Sequence, residues 1–195
     1  MTRIQTLQGR QAPLAARVIE RVVRRKVGRD LDPIGVYAHA PGMLVGYSMY
    51  EQATASQHTV PERLKILAVL KAAALIRCEF CADIGSAEAR RAGVTEEQLL
   101  TLPRYRESGA FDELECLVLD FAVAMTRTPP EVGDGLFAEL REHFDERQLV
   151  ELANIVALEN LRSRFNSAFD MTPAGFSEGM VCIVPESPPA SLAAA

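Results

Sequence analysis

The sequence has no apolar run approaching the ~20 residues a membrane-spanning helix needs, and its first residues, MTRIQTLQGR, lack the apolar stretch of a secretory leader. The chain is therefore expected in the cytoplasm, with no membrane partner. Cysteine is scarce: Cys78, Cys81, Cys116 and Cys182 make up the set, and only the first two lie close together. That is too sparse for a secreted disulfide scaffold and points to thiol chemistry in a reducing compartment. Cations are outnumbered, 21 Lys and Arg against 26 Asp and Glu, and the formal charge is −5. Nucleic-acid binding draws on clustered cations, so no nucleic-acid partner is expected and a small molecule or a protein is. The three histidines, His39, His58 and His143, are scattered and there is no second CxxC. A four-ligand zinc site cannot be counted up from such a set, so neither a metal nor another bound cofactor is expected. Tryptophan is absent, which excludes nothing.

What is present reads as helix throughout. Apolar residues make up 48% of 195, enough for one core without staples. After Pro13, Val18, Val22 and Ile19, Val23, Val27 recur at helical spacing opposite Arg17, Arg21, Arg24, Arg25 and Lys26. A loop over 30–33 follows, then a helix opening on Pro41 and broken over 56–60. From Pro61, ERLKILAVLKAAALI is apolar on most of its circumference and predicts a buried central helix. CEFCADIGSAEARRAG predicts a helix with Gly93 just past its end, and Thr95 with Gln98 forms a capping-box signal. Leu114, Leu117, Val118, Phe121 and Met125 mark another helix, Asp134 and Asp145 are candidate N-caps, and a long last helix carries Leu149, Leu152, Ile155, Val156, Leu161 and Phe165. Only Met180 to Val184 has any strand character. One all-α domain is expected over 1–184, with its core at 61–103 and a disordered tail over 185–195.

The chemistry centres on Cys78-Glu79-Phe80-Cys81 at a helix junction. Unpaired N–H groups and the positive end of a helix dipole favour thiolate there. Residues three apart share a helical face, so the two sulfurs can close and reopen a disulfide. One thiolate attacks, the other resolves the product, and an external reductant resets both. Half a zinc site or two packed core cysteines remain as other readings of the pair.

The stretch PERLKILAVLKAAALIRCEFCADIGSAEARRAGVTEEQL resembles the core of the AhpD-like, or carboxymuconolactone decarboxylase, family, with its helix, CxxC, small-residue helix ending in AGV and acidic TEEQL start. YAHAPGMLVGY and LREHFDERQLVELANIVALENLRSRFNSAFDM are similar to the longer members, so the likeness runs over about residues 15 to 178. The resemblance implies an all-α AhpD-like helical fold, with the CxxC in a central helical hairpin, and assembly into homo-oligomers. In the family's thiol peroxidases the second cysteine attacks and the first resolves, roles that would fall to Cys81 and Cys78. Those enzymes carry a His four residues after the second cysteine and a Glu twelve before the first, a proton relay; here the positions are Gly85 and Ile66.

Among substitutes for that relay, Asp83 is the candidate catalytic carboxylate, acting through water, with a solvated helix face as the plainer reading of Asp83 and Glu79. Arg77 and Lys71 offer positive charge, and His39 or His58 an imidazole. Glu159 with Arg162, and Asn160 with Arg164, sit at pairing distance on the last helix and are read as structural. Met43, Tyr47 and Tyr50 could line a pocket against the core helix, and Cys182 is read as a bystander. The expected function is a thiol oxidoreductase of the peroxidase type, acting on a hydroperoxide or a disulfide partner and reset by a dithiol reductant protein. A decarboxylase acting on a lactone-type substrate is the second reading, and a non-enzymatic redox-sensing member that has lost its relay is the third.

Overall fold

Most of the longer helices begin where the sequence supplies a proline or an oxygen-bearing cap. In the computed structural model, which describes residues 2–186, ten α-helices follow in order. They are α1 (Leu14–Val27), α2 (Asp32–Tyr37), α3 (Pro41–Ala55), α4 (Glu62–Ile76), α5 (Glu79–Arg91), α6 (Glu96–Thr101), α7 (Tyr105–Ser108), α8 (Glu113–Thr126), α9 (Asp134–His143) and α10 (Glu146–Ala168). No strand occurs among the described residues. Pro41 is the first residue of α3, and Thr95 closes a reciprocal capping box with Gln98 at α6. Asp112 and Asp145 do the same for α8 and α10 with Glu115 and Gln148.

Helix α4 sits at the centre because it has no polar stripe to show to water. Leu67, Ala68, Leu70, Ala72 and Ala73 are fully buried, and α5, α8 and α10 pack around it. Its two buried lysines find partners. Lys65 pairs with Glu151 at 3.0 Å, and Lys71 meets Glu186 and lies 4.6 Å over the Tyr105 ring.

Three local expectations are corrected. The loop expected over 30–33 is partly helical, since Asp32 and Pro33 open α2. Asp134 is the first helical residue of α9, with Gly133 as its cap. The run 180–184 forms no strand. It packs back along α5, where the Ile183 N–H donates to Ser86 Oγ at 3.1 Å and Ser86 Oγ meets Cys182 Sγ at 3.4 Å. Of the segment expected to be a disordered tail, Glu186 is held by Lys71, and residues 187–195 lie outside the described residues. No described helix is long and apolar enough to cross a membrane.

Candidate functional site

The turn from α4 into α5 makes the site. Arg77 adopts the left-handed conformation, φ 64°, unusual for a side-chain-bearing residue, and reverses the chain in one step. Cys78 then falls at the N-cap of α5, where its Sγ accepts the Cys81 N–H at 3.2 Å. Cys81 is the third helical residue, its Cα 5.3 Å from that of Cys78, and the two are joined as a disulfide. Both are buried, at 4% and 8% exposure.

The other wall of the site comes from α10. Ser163 Oγ lies 3.4 Å from Cys81 Sγ, and the Asn166 amide donates to the sulfurs of Cys81 and Cys78 at 3.3 and 3.7 Å. Ser163 is also 2.7 Å from Glu159 Oε1. Glu159 is 2% exposed. Its nearest cation, Arg162 at 3.4 Å, is committed to Glu51, with Nε to Oε1 at 2.8 Å and a second shorter contact. Burial therefore prevails over the partial pairing, and the Glu159 carboxyl is pushed up to about 7. The opposite holds for Glu51. Burial raises it, but hydrogen bonds and charge from Arg162 and a hydrogen bond from Tyr47 bring it below the usual carboxylate range.

A cavity of about 450 Å³ opens onto these groups. Val18, Ile19 and Val22 of α1, Tyr47 of α3, Ile84 of α5 and Phe165 of α10 supply its apolar lining, while Cys81, Glu159, Arg162 and Asn166 supply polar atoms. Cys81 lines it and Cys78 does not. The cavity reaches the surface beside α1, where Val18 and Val22 are about half exposed. Tyr37 stacks on Phe165 with ring centroids 3.9 Å apart, fixing one wall. Of the residues expected to line a pocket, Tyr47 does so. Met43 is 67% exposed, and Tyr50 points its hydroxyl at Asn154.

The remaining candidates lie elsewhere. The Asp83 carboxylate accepts the backbone N–H groups of Ala174, Phe176 and Ser177 and the Ser177 hydroxyl, at 2.6 to 3.0 Å. Burial would raise Asp83, but these donors hold it below its usual range, so it closes the loop after α10 over α5. Arg77 is exposed, and Lys71 turns its ammonium to the Leu102 carbonyl and Glu186. His39 bonds the Gln5 carbonyl at 2.8 Å, and His58 is exposed. Ile66 is packed into the core, and a Cβ at Gly85 would come 2.7 Å from Leu70 Cδ2, so no side chain enters position 85 unless fully buried Leu70 moves. Cys116 and Cys182 are free and half-buried.

Sequence reasoning read Glu159 as structural and gave Ser163 and Asn166 no part in the site, although a signal was there. The stripe that α10 turns to the core runs Leu149, Leu152, Val156, Glu159, Ser163, Asn166, in alternating steps of three and four, and becomes polar halfway along. Polar residues on a buried stripe need partners, and here Ser163 and Asn166 meet the cysteines while Glu159 meets Ser163 and Arg162.

Residues 41–124 match the carboxymuconolactone decarboxylase family. The uncharacterized protein YnjA of Escherichia coli (strain K12) is 33% identical over 175 residues, 89% of this chain and 93% of the relative. Among solved structures, an uncharacterized peroxidase-related protein with the alkylhydroperoxidase AhpD core, from Ralstonia eutropha JMP134, superposes with a TM-score of 0.79 at 22% identity, covering 95% of this chain and 98% of that one. A cysteine-to-alanine variant of the debrominase Bmp8, in complex with 2,3,4-tribromopyrrole, superposes with a TM-score of 0.72 at 20% identity, covering 88% and 95%.

Proposed function

This chain belongs to the carboxymuconolactone decarboxylase family and has the AhpD-like fold, and we propose that it is a dithiol oxidoreductase in which Cys81 attacks and Cys78 resolves. The observation that carries this reading is the asymmetry of the pair: Cys81 lines the cavity, while Cys78 stands behind it within bonding distance. The apolar lining suits a small organic hydroperoxide. The Cys81 thiolate takes the terminal oxygen, the O–O bond breaks, and the alkoxide leaves and is protonated to an alcohol. The Cys78 thiol then displaces water from the Cys81 sulfenic acid, closing the disulfide, and a dithiol reductant supplies two electrons and two protons to reopen it. Decarboxylation of a lactone would leave the cysteine pair without a task.

A second reading draws on the bromopyrrole complex of the same fold and on the aromatic wall of Tyr37, Tyr47 and Phe165. Cys81 would take a ring halogen as its positive equivalent, the ring carbon would take a proton, and Cys78 would expel halide as the disulfide closes. The family resemblance further suggests a homo-oligomer, and the exposed apolar side chains of Leu14, Val18, Met43 and Met49 are compatible with one.

The test is consumption of an organic hydroperoxide by the protein under a dithiol reductant. Cys81→Ser is expected to abolish turnover, and Cys78→Ser, pre-reduced and then freed of reductant, to consume one equivalent and stop with a sulfenic acid at Cys81. Reduced wild-type protein that leaves hydroperoxides and model disulfides untouched would overturn the reading, and release of bromide from a bromopyrrole would select the second.

A further inference from the structure

Among the described residues, Cys81 has no imidazole or ammonium against its sulfur. Hydrogen-bond distance is reached only by the Ser163 hydroxyl, at 3.4 Å, and the Asn166 amide, at 3.3 Å. An amide positions a sulfur but does not exchange protons with it near neutral pH, whereas a hydroxyl passes a proton on if a second acceptor stands behind it. Behind Ser163, at 2.7 Å, stands Glu159. We infer that Ser163 and Glu159 form the proton relay of Cys81, mounted on α10 instead of on the α4–α5 hairpin. The inference rests on Cys81 being the attacking thiol.

One hydroxyl carries one proton, so the two contacts of Ser163 cannot both be its donations at once. With Glu159 protonated, the carboxyl donates to Ser163 and Ser163 donates to the sulfur. With Glu159 ionised, Ser163 donates to the carboxylate and turns a lone pair to the sulfur, where a thiol can donate. These are the two ends of one transfer. The Cys81 proton passes to Ser163 as the Ser163 proton passes to Glu159, and the negative charge moves from carboxylate to sulfur. When the thiolate breaks the peroxide bond, the same proton returns along the relay to the leaving alkoxide.

The surroundings suit this task. Burial pushes Glu159 up to about 7, so its carboxyl can take up and release a proton near neutral pH. Arg162 and Glu51 flank Glu159, Tyr47 faces the same ion pair from α3, and Glu88 of α5 lines the shared cavity. Ser163 touches the reacting sulfur and is a catalytic residue; Glu159 acts through it.

The test follows alkylation of Cys81 by iodoacetamide in the reduced full chain from pH 5 to 9, read by peptide mass spectrometry, in wild type, Ser163→Ala, Ser163→Thr and Glu159→Gln. The wild-type rate is expected to rise through an inflection near neutral pH. Ser163→Ala and Glu159→Gln should lose it and react about tenfold more slowly at pH 7, as a thiol does on returning toward its ordinary pKa of ~8.5. Ser163→Thr should keep it. A purely electrostatic role for Glu159 predicts the reverse sign, because deleting a buried negative charge favours the thiolate, so faster alkylation of Glu159→Gln overturns the relay. An unchanged profile in Ser163→Ala overturns it too. Should Ser163→Ala fail to fold by circular dichroism, Glu159→Gln and Ser163→Thr still decide. Alkylation needs neither peroxide nor reductant partner, so a chain inert to peroxides that keeps the wild-type inflection refutes the proposed function and spares the relay.

Discussion

Helix α10 buries two glutamates two turns apart, and they end with opposite chemistry. Glu151, 6% exposed, receives Lys65 at 3.0 Å and both the N–H and hydroxyl of Thr59. Burial alone would raise it, yet these partners hold it below the usual carboxylate range. Glu159, more deeply buried, has one serine and a share of an arginine already committed to Glu51, and rises to about 7. The difference lies in the partners, because desolvation pushes both carboxyls the same way. A carboxylate held by a lysine and a threonine is a structural clamp. A half-paired one is pushed up by burial, and it is the half-paired one that meets Ser163 beside the cysteine.

The largest effect is expected from making the first resemble the second. Lys65→Met leaves Glu151 buried without its cation and should cost about 3–5 kcal/mol in chemical denaturation at pH 7. The pH dependence should change sign as well. In wild type the Glu151 contribution is present above the ordinary carboxylate pKa and lost as pH falls through its depressed value, whereas in the variant stability should fall as pH rises. A loss below 1 kcal/mol would mean that Thr59 alone holds the carboxylate.

Converting the second glutamate comes next. The folded state holds the Glu159 proton more tightly than the unfolded chain, so wild-type stability should fall as pH rises from about 4.5 to about 7, by up to ~1.4 kcal/mol per unit, and level off above. Glu159→Gln removes that slope, so it should gain about 3 kcal/mol on wild type between pH 5 and pH 8 while Cys81 becomes slower. Parallel stability curves for the two proteins would show that Glu159 is ionised throughout.

Asp83 is the control, a buried carboxylate next to the cysteines with every acceptor position used. Asp83→Asn should cost about 2 kcal/mol by loosening the 174–177 loop. The cost should shrink at acid pH, since the depressed carboxylate contributes stability above the ordinary carboxylate pKa and loses it as pH falls. Cys81 alkylation should stay at the wild-type rate, and a change of tenfold would return Asp83 to the chemistry.

Local signals were easy to read where they sit within one or two helical turns. Pro41 opened α3, Thr95 and Gln98 capped α6, Gly93 followed α5, and the all-round apolar face of ERLKILAVLKAAALI put α4 at the centre. Asp134 went astray because a cap and a first-turn acid look alike in sequence, both being favoured by the helix N-terminus. The short strand-like run near Cys182 went astray because β-branched residues also suit an extended segment lying on a helix.

The sequence by itself determined an all-helical chain, a cysteine pair at a helix start and the absence of the usual glutamate and histidine at positions 66 and 85, because spacing and caps are properties of neighbours along the chain. Only the tertiary structure decided that Leu70 fills the space a side chain at position 85 would need, that Asp83 faces a loop, and that the polar half of the α10 stripe meets sulfurs more than eighty residues earlier in the chain. Burial and the competition for Arg162 set the protonation of Glu159. Both depend on which helices meet, and no distance along the sequence encodes that.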